Sequence, residues 1–376
     1  MHGAERRRAD VLVRDGRVEE VGPDLTPDGA HDLLDAEGLL VAPGFLDLQC
    51  NGAHGIDLAS EPERLWEVAA WLPRYGVTAW LPTVITSPTA TVGRAIAALA
   101  EPPPEGVAAP LGLHLEGPML APSKRGAHPP DQLRLPDPAL YETWTCDEGV
   151  TLVTLAPELP GALEAVRTLA AHGVVVAAGH TAAAAEDLAV AAEAGVTAVT
   201  HLGNATSGFD HRRPGVVGAT LAHPALVAGI IVDGVHLHPT TVAAYWRALG
   251  PERTLLVSDA VAALGLPPGR ARLGPVDVAV TERDVRLADG TLAGSKLSLD
   301  RAVRNLVAFT RCSVEDAVAT VTTTPARLLG LRTKGAVAAG RDADLTILTA
   351  DLHVVATVVA GVVVHDPSGR LLRTSC

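Results

Sequence analysis

Residues 174–206 read VVVAAGHTAAAAEDLAVAAEAGVTAVTHLGNAT. A short apolar run, 174–179, ends at a glycine and meets His180. An Ala-, Leu- and Glu-rich stretch follows, and a second apolar run, 196–200, meets His201. Short β-branched runs bounded by turn residues read as buried strands, and the alanine-rich stretch between them has helical composition. Strand, helix and strand in succession make a βαβ unit with parallel strands.

The rhythm continues in both directions. Upstream lie GFLDLQ (44–49), VTAWLP (77–82), LGLHL (111–115) and VTLVTL (150–155); downstream lie AGIIV (228–232) and TLLVS (254–258). Eight strand candidates, several separated by helical stretches such as PERLWEVAAWLPRYG, predict a closed (β/α)8 TIM-like barrel. A doubly wound open sheet is the competing α/β architecture, but no GxGxxG follows an early strand. Both chain ends read differently. Residues 11–42 and 335–366 alternate apolar positions with Asp-Gly, Ala-Glu-Gly and Ala-Gly, which is hairpin chemistry. The expectation is a barrel over 43–334 and a small β-sandwich domain assembled from 1–42 and 335–376.

Composition fits that plan. A chain of 376 residues suits a barrel with a satellite, and 48% hydrophobic against 19% charged residues excludes a mainly disordered state. With 3 Phe, 3 Tyr and 5 Trp, the core must be built from Ala, Val and Leu. A formal net charge of −13 without a long basic run argues against nucleic acid and anionic membrane surfaces as partners. The opening MHGAERRRADVLV has no apolar signal segment. The uncharged stretch 214–232 is broken by Pro214, Pro224 and glycines, so no membrane span is expected. Cysteines at 50, 146, 312 and 376 lack ligand-like spacing and suit a reducing interior. The expected location is the cytoplasm.

The chemistry sits where strands end. LGLHL runs into Glu116, the two runs of the opening stretch into His180 and His201, TLLVS into Asp259, and the first strand ends at Gln49 and Asn51. In a barrel the C-terminal strand ends share one mouth, so these residues converge. Singly, each has a plain structural role: a histidine packs, Asp259 caps a helix, Glu116 is solvated. Together, a carboxylate and two imidazoles make a three-ligand metal site with a position open for water. Asp259 can then take the water proton and deliver it to a leaving amine. The reaction class is metal-assisted hydrolysis of a C–N bond.

These residues stand in PGFLDLQCNGAHGIDL (43–58), HLEGPML (114–120), KRGAHPP (124–130), AGHTAA (178–183), THLGNAT (200–206), VSDAVAALG (257–265) and GTLAGSKLSLDRAVRNLV (290–307). In that order, over essentially the whole chain, they resemble the amidohydrolase superfamily and, within it, the N-acetylglucosamine-6-phosphate deacetylases. The resemblance implies hydrolysis of the acetamide of N-acetyl-D-glucosamine 6-phosphate to glucosamine 6-phosphate and acetate. It implies Glu116, His180 and His201 as metal ligands, Asp259 as general acid and base, and His128 as hydrogen-bond donor to the acetyl carbonyl. The Asn204 and Ala205 backbone, Arg212 and His236 would hold the sugar phosphate, and Leu292 would lie against the acetyl methyl. Arg212 would come from a neighbouring subunit, which implies a homodimer.

Most amidohydrolases carry His-x-His on the first strand; this chain has Gln49-Cys50-Asn51. Neutral amides are poor zinc ligands, so one divalent ion is expected, Zn²⁺ first, with Fe²⁺ or another divalent ion as the alternative. His54 is expected to be an ordinary loop histidine. Gly203 and Thr206 replace the aromatic and methionine of the family pattern beside the expected sugar site. A galactosamine epimer, an unphosphorylated N-acetyl sugar or, more distantly, another C–N substrate therefore stands as the alternative. A scaffold without activity would have lost a ligand or the base, and all four are present.

Overall fold

Runs of Val, Leu and Ile become strands buried on both faces, the pattern a parallel sheet wrapped by helices requires. The computed structural model describes residues 6–26 and 32–373. Eight strands form the barrel: Phe45–Cys50 (β1), Val77–Ile85 (β2), Leu113–Glu116 (β3), Val150–Leu155 (β4), Val175–Ala178 (β5), Val196–Val199 (β6), Val227–Ile230 (β7) and Thr254–Leu256 (β8). Each pairs in parallel with the next. Closure comes at the mouth, where Cys50 bridges Ala260 in parallel. There the Asn51 N–H donates to the Ala260 carbonyl at 2.7 Å and the Asp259 N–H to the Gln49 carbonyl at 2.9 Å.

A helix follows each strand: Leu65–Trp71 (α1), Thr89–Leu99 (α2), Pro138–Tyr141 (α3), Ala162–Ala171 (α4), Ala185–Ala194 (α5), Gly215–Ala222 (α6), Pro239–Arg253 (α7) and Leu299–Thr310 (α8). The third is a single turn. Its approach carries Pro129, Pro130, Pro136 and Pro138, which lack the backbone donors a longer helix needs. The helix of the opening stretch, α5, starts where Asp187 Oδ2 accepts the Ala184 N–H at 2.8 Å and stops at Gly195.

The two ends of the chain meet, as their hairpin chemistry predicts. Leu345–Leu348 pairs antiparallel with Leu40–Pro43 on one side and Val354–Val359 on the other, and Val362–His365 completes that sheet. Leu371–Arg373 pairs with Asp32–Leu34, and Asp10–Arg14 with Arg17–Gly22. The molecule is a (β/α)8 barrel with a small β-sandwich domain. The Thr346 and Thr357 hydroxyls join the two by donating to the Gly76 and Pro73 carbonyls, each at 2.7 Å.

One element was not anticipated. Between β8 and α8 stands an antiparallel three-stranded insertion, Gly269–Leu273, Val276–Val280 and Val285–Arg286. Its Leu273, Val278, Val280 and Val285 pack with Ile85 and Val261 into a separate apolar cluster. Cys376 lies outside the described residues. Among those described, no helix is long and apolar enough to cross a membrane.

Candidate active site

Three of the converging residues sit just past their strands in a backbone conformation that L-residues seldom adopt. His180 has φ 47°, His201 φ 29° and Asp259 φ 46°. Aspartate and histidine tolerate this region better than most side chains, at a cost of order 1–3 kcal/mol each. Glu116 needs no such turn, because it is the last residue of β3 and points inward with His114.

The ligand atoms meet. Glu116 Oε1 lies 3.1 Å from His180 Nε2 and 2.9 Å from His201 Nε2, and the two Nε2 atoms are 3.2 Å apart. His180 Nδ1 donates to the Lys124 carbonyl at 2.8 Å, which turns Nε2 toward the carboxylate. Three buried ligand atoms of carboxylate and imidazole, all within 3.2 Å of one another, are the donor set that a cation binds. The set therefore fits a metal ion, and among the described residues it is the only such cluster. Burial alone would push the Glu116 carboxyl up, but the two imidazoles outweigh it and hold it well below the usual range. His201 is displaced upward, since Glu116 outweighs the desolvation that opposes its charge.

Asp259 lines the same cavity, which measures about 400 Å³. Burial, then the Glu116 charge, push its carboxyl up to about 6. Its Oδ1 accepts hydrogen bonds from Gln49 Nε2 at 3.1 Å and Asn51 Nδ2 at 2.9 Å. The sequence places those two amides on one face of β1 but says nothing of what they meet across the barrel seam.

His128 comes in on the loop after β3, its ring edge-on to His180 with centroids 4.3 Å apart. The Thr86 N–H donates to its Nδ1 at 3.3 Å and the Thr86 hydroxyl lies 2.8 Å away. Nδ1 is thus the acceptor and Nε2 carries the hydrogen. Burial, then the neighbouring His180, lower the ring to about 3, so it stays neutral. His236 donates from Nδ1 to Asp233 Oδ2 at 2.6 Å. Asp233 Oδ1 takes the Val235 and His236 N–H groups at 2.8 Å each, which fixes the loop.

Asn204, Ala205, His236 and Leu292 all line the cavity. The Asn204 N–H turns back onto the His201 carbonyl at 2.9 Å, however, so one of the two expected backbone donors is already engaged. Arg212 does not line the cavity. It stands exposed on the 207–213 loop, where its N–H donates to Asp210 Oδ1 at 2.9 Å.

Three other histidines stay clear of the cluster. His54 stacks on Trp71 with centroids 3.8 Å apart and Nε2 3.2 Å from the Tyr75 hydroxyl. His114 lies inside the barrel, Nε2 2.8 Å from the Thr154 hydroxyl, and burial brings it down to about 4. His211 is exposed beside Asp210. Gly203 has φ +90°, and a Cβ there would lie 3.0 Å from the Tyr245 hydroxyl and 3.1 Å from Leu237 Cδ2. Tyr245 on α7 and Leu237 just before that helix fill the space an aromatic would need. Arg286, which the sequence reading passed over, also lines the cavity, held by Asp284 and the Gly290 carbonyl at 2.8 Å each. The alternation in residues 276–280 was the signal that could have exposed this insertion.

A parallel (β/α)8 barrel whose mouth joins a carboxylate–imidazole metal cluster to a buried aspartate defines a metal-dependent hydrolase. The chain belongs to the amidohydrolase family, whose model matches residues 40–364. Within it, the chain is similar to N-acetylglucosamine-6-phosphate deacetylases. It is 38% identical to that of Bos taurus (96% of this chain, 92% of the relative) and 34% identical to that of Bacillus subtilis strain 168 (93% and 91%). A solved structure of an aspartate-to-alanine mutant of the Mycobacterium smegmatis deacetylase, in complex with N-acetyl-D-glucosamine 6-phosphate, superposes with a TM-score of 0.85. That protein is 35% identical, and the match covers 94% of each chain.

Proposed function

We propose that this protein hydrolyses the acetamide of N-acetyl-D-glucosamine 6-phosphate, releasing acetate and glucosamine 6-phosphate. The observation that carries this reading is the convergence of Glu116 Oε1, His180 Nε2 and His201 Nε2 beside Asp259 in one cavity. The relatives' activity supports the substrate. Glu116, His180 and His201 hold one divalent ion, Zn²⁺ in our reading with Fe²⁺ as the alternative. When bound, that ion supplies Lewis acidity to the substrate carbonyl and acidifies water.

The chain's own residues do the rest. Asp259 takes a proton from the attacking water and returns it to the departing amine nitrogen. The His128 Nε2–H donates to the carbonyl oxygen as negative charge grows on it, and its neutral state keeps that donor from losing its proton to a nearby base. Asp233 holds the His236 ring so that Nε2 faces the sugar. The Ala205 N–H and the Asn204 side chain bind the phosphate end, and Leu292 covers the acetyl methyl. Arg212, exposed and off the cavity of its own chain, serves the cavity of a second copy in a homodimer. We place the catalytic unit at 43–334, which contains all the cavity-lining residues. The unpaired Cys50, Cys146 and Cys312 suit the reducing cytoplasm.

A second reading, an unphosphorylated N-acetylhexosamine, is favoured by one observation: among the described residues no arginine other than Arg286 lines the cavity, and Asp284 already pairs with it, which leaves Lys124 as the other cation there. Free-amine release from the phosphorylated and unphosphorylated sugars at equal concentration separates the two. Strong preference for the phosphate ester is expected; equal rates overturn the phosphate assignment.

A further inference from the structure

The residues that make the first strand a poor metal ligand set have a different task. Gln49 on β1 and Asn51 one residue past its end, 2% and 3% exposed, are two apart and face the same way. Cys50 between them turns aside, and its N–H donates to the Thr83 hydroxyl at 3.0 Å. Both amides donate to one atom, Oδ1 of Asp259. Among the described residues nothing donates to Oδ2. The sense of the Asn51 amide is set by this contact, because the flipped amide would press its oxygen against a carboxylate oxygen.

The backbone beneath is locked as well. Asp47, the preceding inward residue of β1, accepts the Gln49 N–H at 3.3 Å and the Ser258 N–H at 3.2 Å through Oδ1. The Ser258 hydroxyl donates to the Gln49 carbonyl at 3.0 Å, and the Asp259 N–H reaches the same carbonyl at 2.9 Å. The seam that closes the barrel thus also fixes the spacing between the amide pair and the aspartate.

Building on the assignment of Asp259 as general acid and base, we infer that Gln49 and Asn51 are positioning residues that make its two oxygens inequivalent. Two N–H groups hold Oδ1 and set the plane of the carboxylate. Oδ2 is left as the oxygen that works: the water O–H bond breaks as Oδ2–H forms, and Oδ2–H then breaks as the amine N–H forms. Donors to the ionised carboxylate favour that form and oppose the burial and Glu116 charge that act against it. Without the pair, the base would be protonated over more of the neutral range and free to rotate.

The test compares Gln49→Leu, which keeps shape and removes a donor, and Asn51→Asp, isosteric but with an acceptor in place of the donor, with Asp259→Asn. Each is purified, its metal content and Tm measured, and kcat and KM for N-acetyl-D-glucosamine 6-phosphate followed across pH. Gln49→Leu should lower kcat about tenfold with KM nearly unchanged, and move the acid limb of kcat up by about one pH unit. Asn51→Asp should lose more, about a hundredfold, with metal content equal to wild type. Gln49→Met carries the same test should the Leu variant not fold. Wild-type kcat and an unmoved limb in the folded variants, while Asp259→Asn is inactive, overturn the inference. A kcat loss that merely tracks lost metal overturns it too. Near-wild-type turnover of Asp259→Asn strikes instead at the general-base assignment on which the inference stands.

Discussion

Asp259 binds its proton more tightly than an exposed aspartate because it is buried and because Glu116 adds a like charge. A base must be ionised to accept a proton, so turnover falls as pH drops through the Asp259 pKa and recovers above it. A cation against Glu116 offsets part of that charge and draws the limb downward. The kcat/KM profile of the metal-loaded enzyme should therefore decline on the acid side at or below about pH 6; a limb above neutrality contradicts the account. His128 tests the opposite polarity, a neutral donor held by Thr86. His128→Phe should lower kcat by about 10²–10³-fold with metal content retained, as removal of one oxyanion donor does elsewhere. Kinetics alongside metal analysis check this, and an unchanged kcat would remove His128 from the chemistry.

At the scale of elements, the strands were readable because each is a short apolar run closed by a turn residue. The convergence of Glu116, His180 and His201 was readable because they follow such runs directly. The insertion after β8 was not, since the alternating VDVAV is short, is cut off from GRARL by Gly274 and Pro275, and exposes charges such as Arg270 and Asp277 on its outer face. Nor was the Gln49–Asn51 clamp, because spacing tells which residues share a face but not what lies across a seam closed by residues more than two hundred positions away. The insertion carries Leu273, 3% exposed in a cluster separate from the barrel core. Leu273→Ala should cost about 2–5 kcal/mol locally. Because Leu273 itself lines the cavity, the expected signature is a raised KM and faster proteolysis within 269–294, with metal content intact. Loss of metal on this change would tie the insertion to the ligands instead.

At the scale of the whole molecule, Arg212 lies off its own cavity, so the proposed dimer can be tested by complementation. Arg212→Ala and Asp259→Asn are each expected to be nearly inactive. Mixed and re-equilibrated, half of the dimers pair one of each. In these, the Arg212→Ala chain keeps its base and receives the arginine of its neighbour. Recovery of about a quarter of wild-type activity is expected for a two-fold dimer, whereas no recovery means that Arg212 acts within its own chain or not at all. Among the described residues the small β-domain lends none to the cavity, which explains why its hairpins were legible as structure yet silent about chemistry. The most direct measurement is the release of acetate and glucosamine 6-phosphate, mole for mole, from N-acetyl-D-glucosamine 6-phosphate by wild type and Glu116→Gln, before chelation, after it, and on reloading with Zn²⁺. The account predicts stoichiometric products from wild type, loss on chelation, recovery on reloading, and neither bound metal nor turnover in Glu116→Gln. Undiminished turnover by the chelated protein, or by a Glu116→Gln protein that still holds its metal, would contradict it.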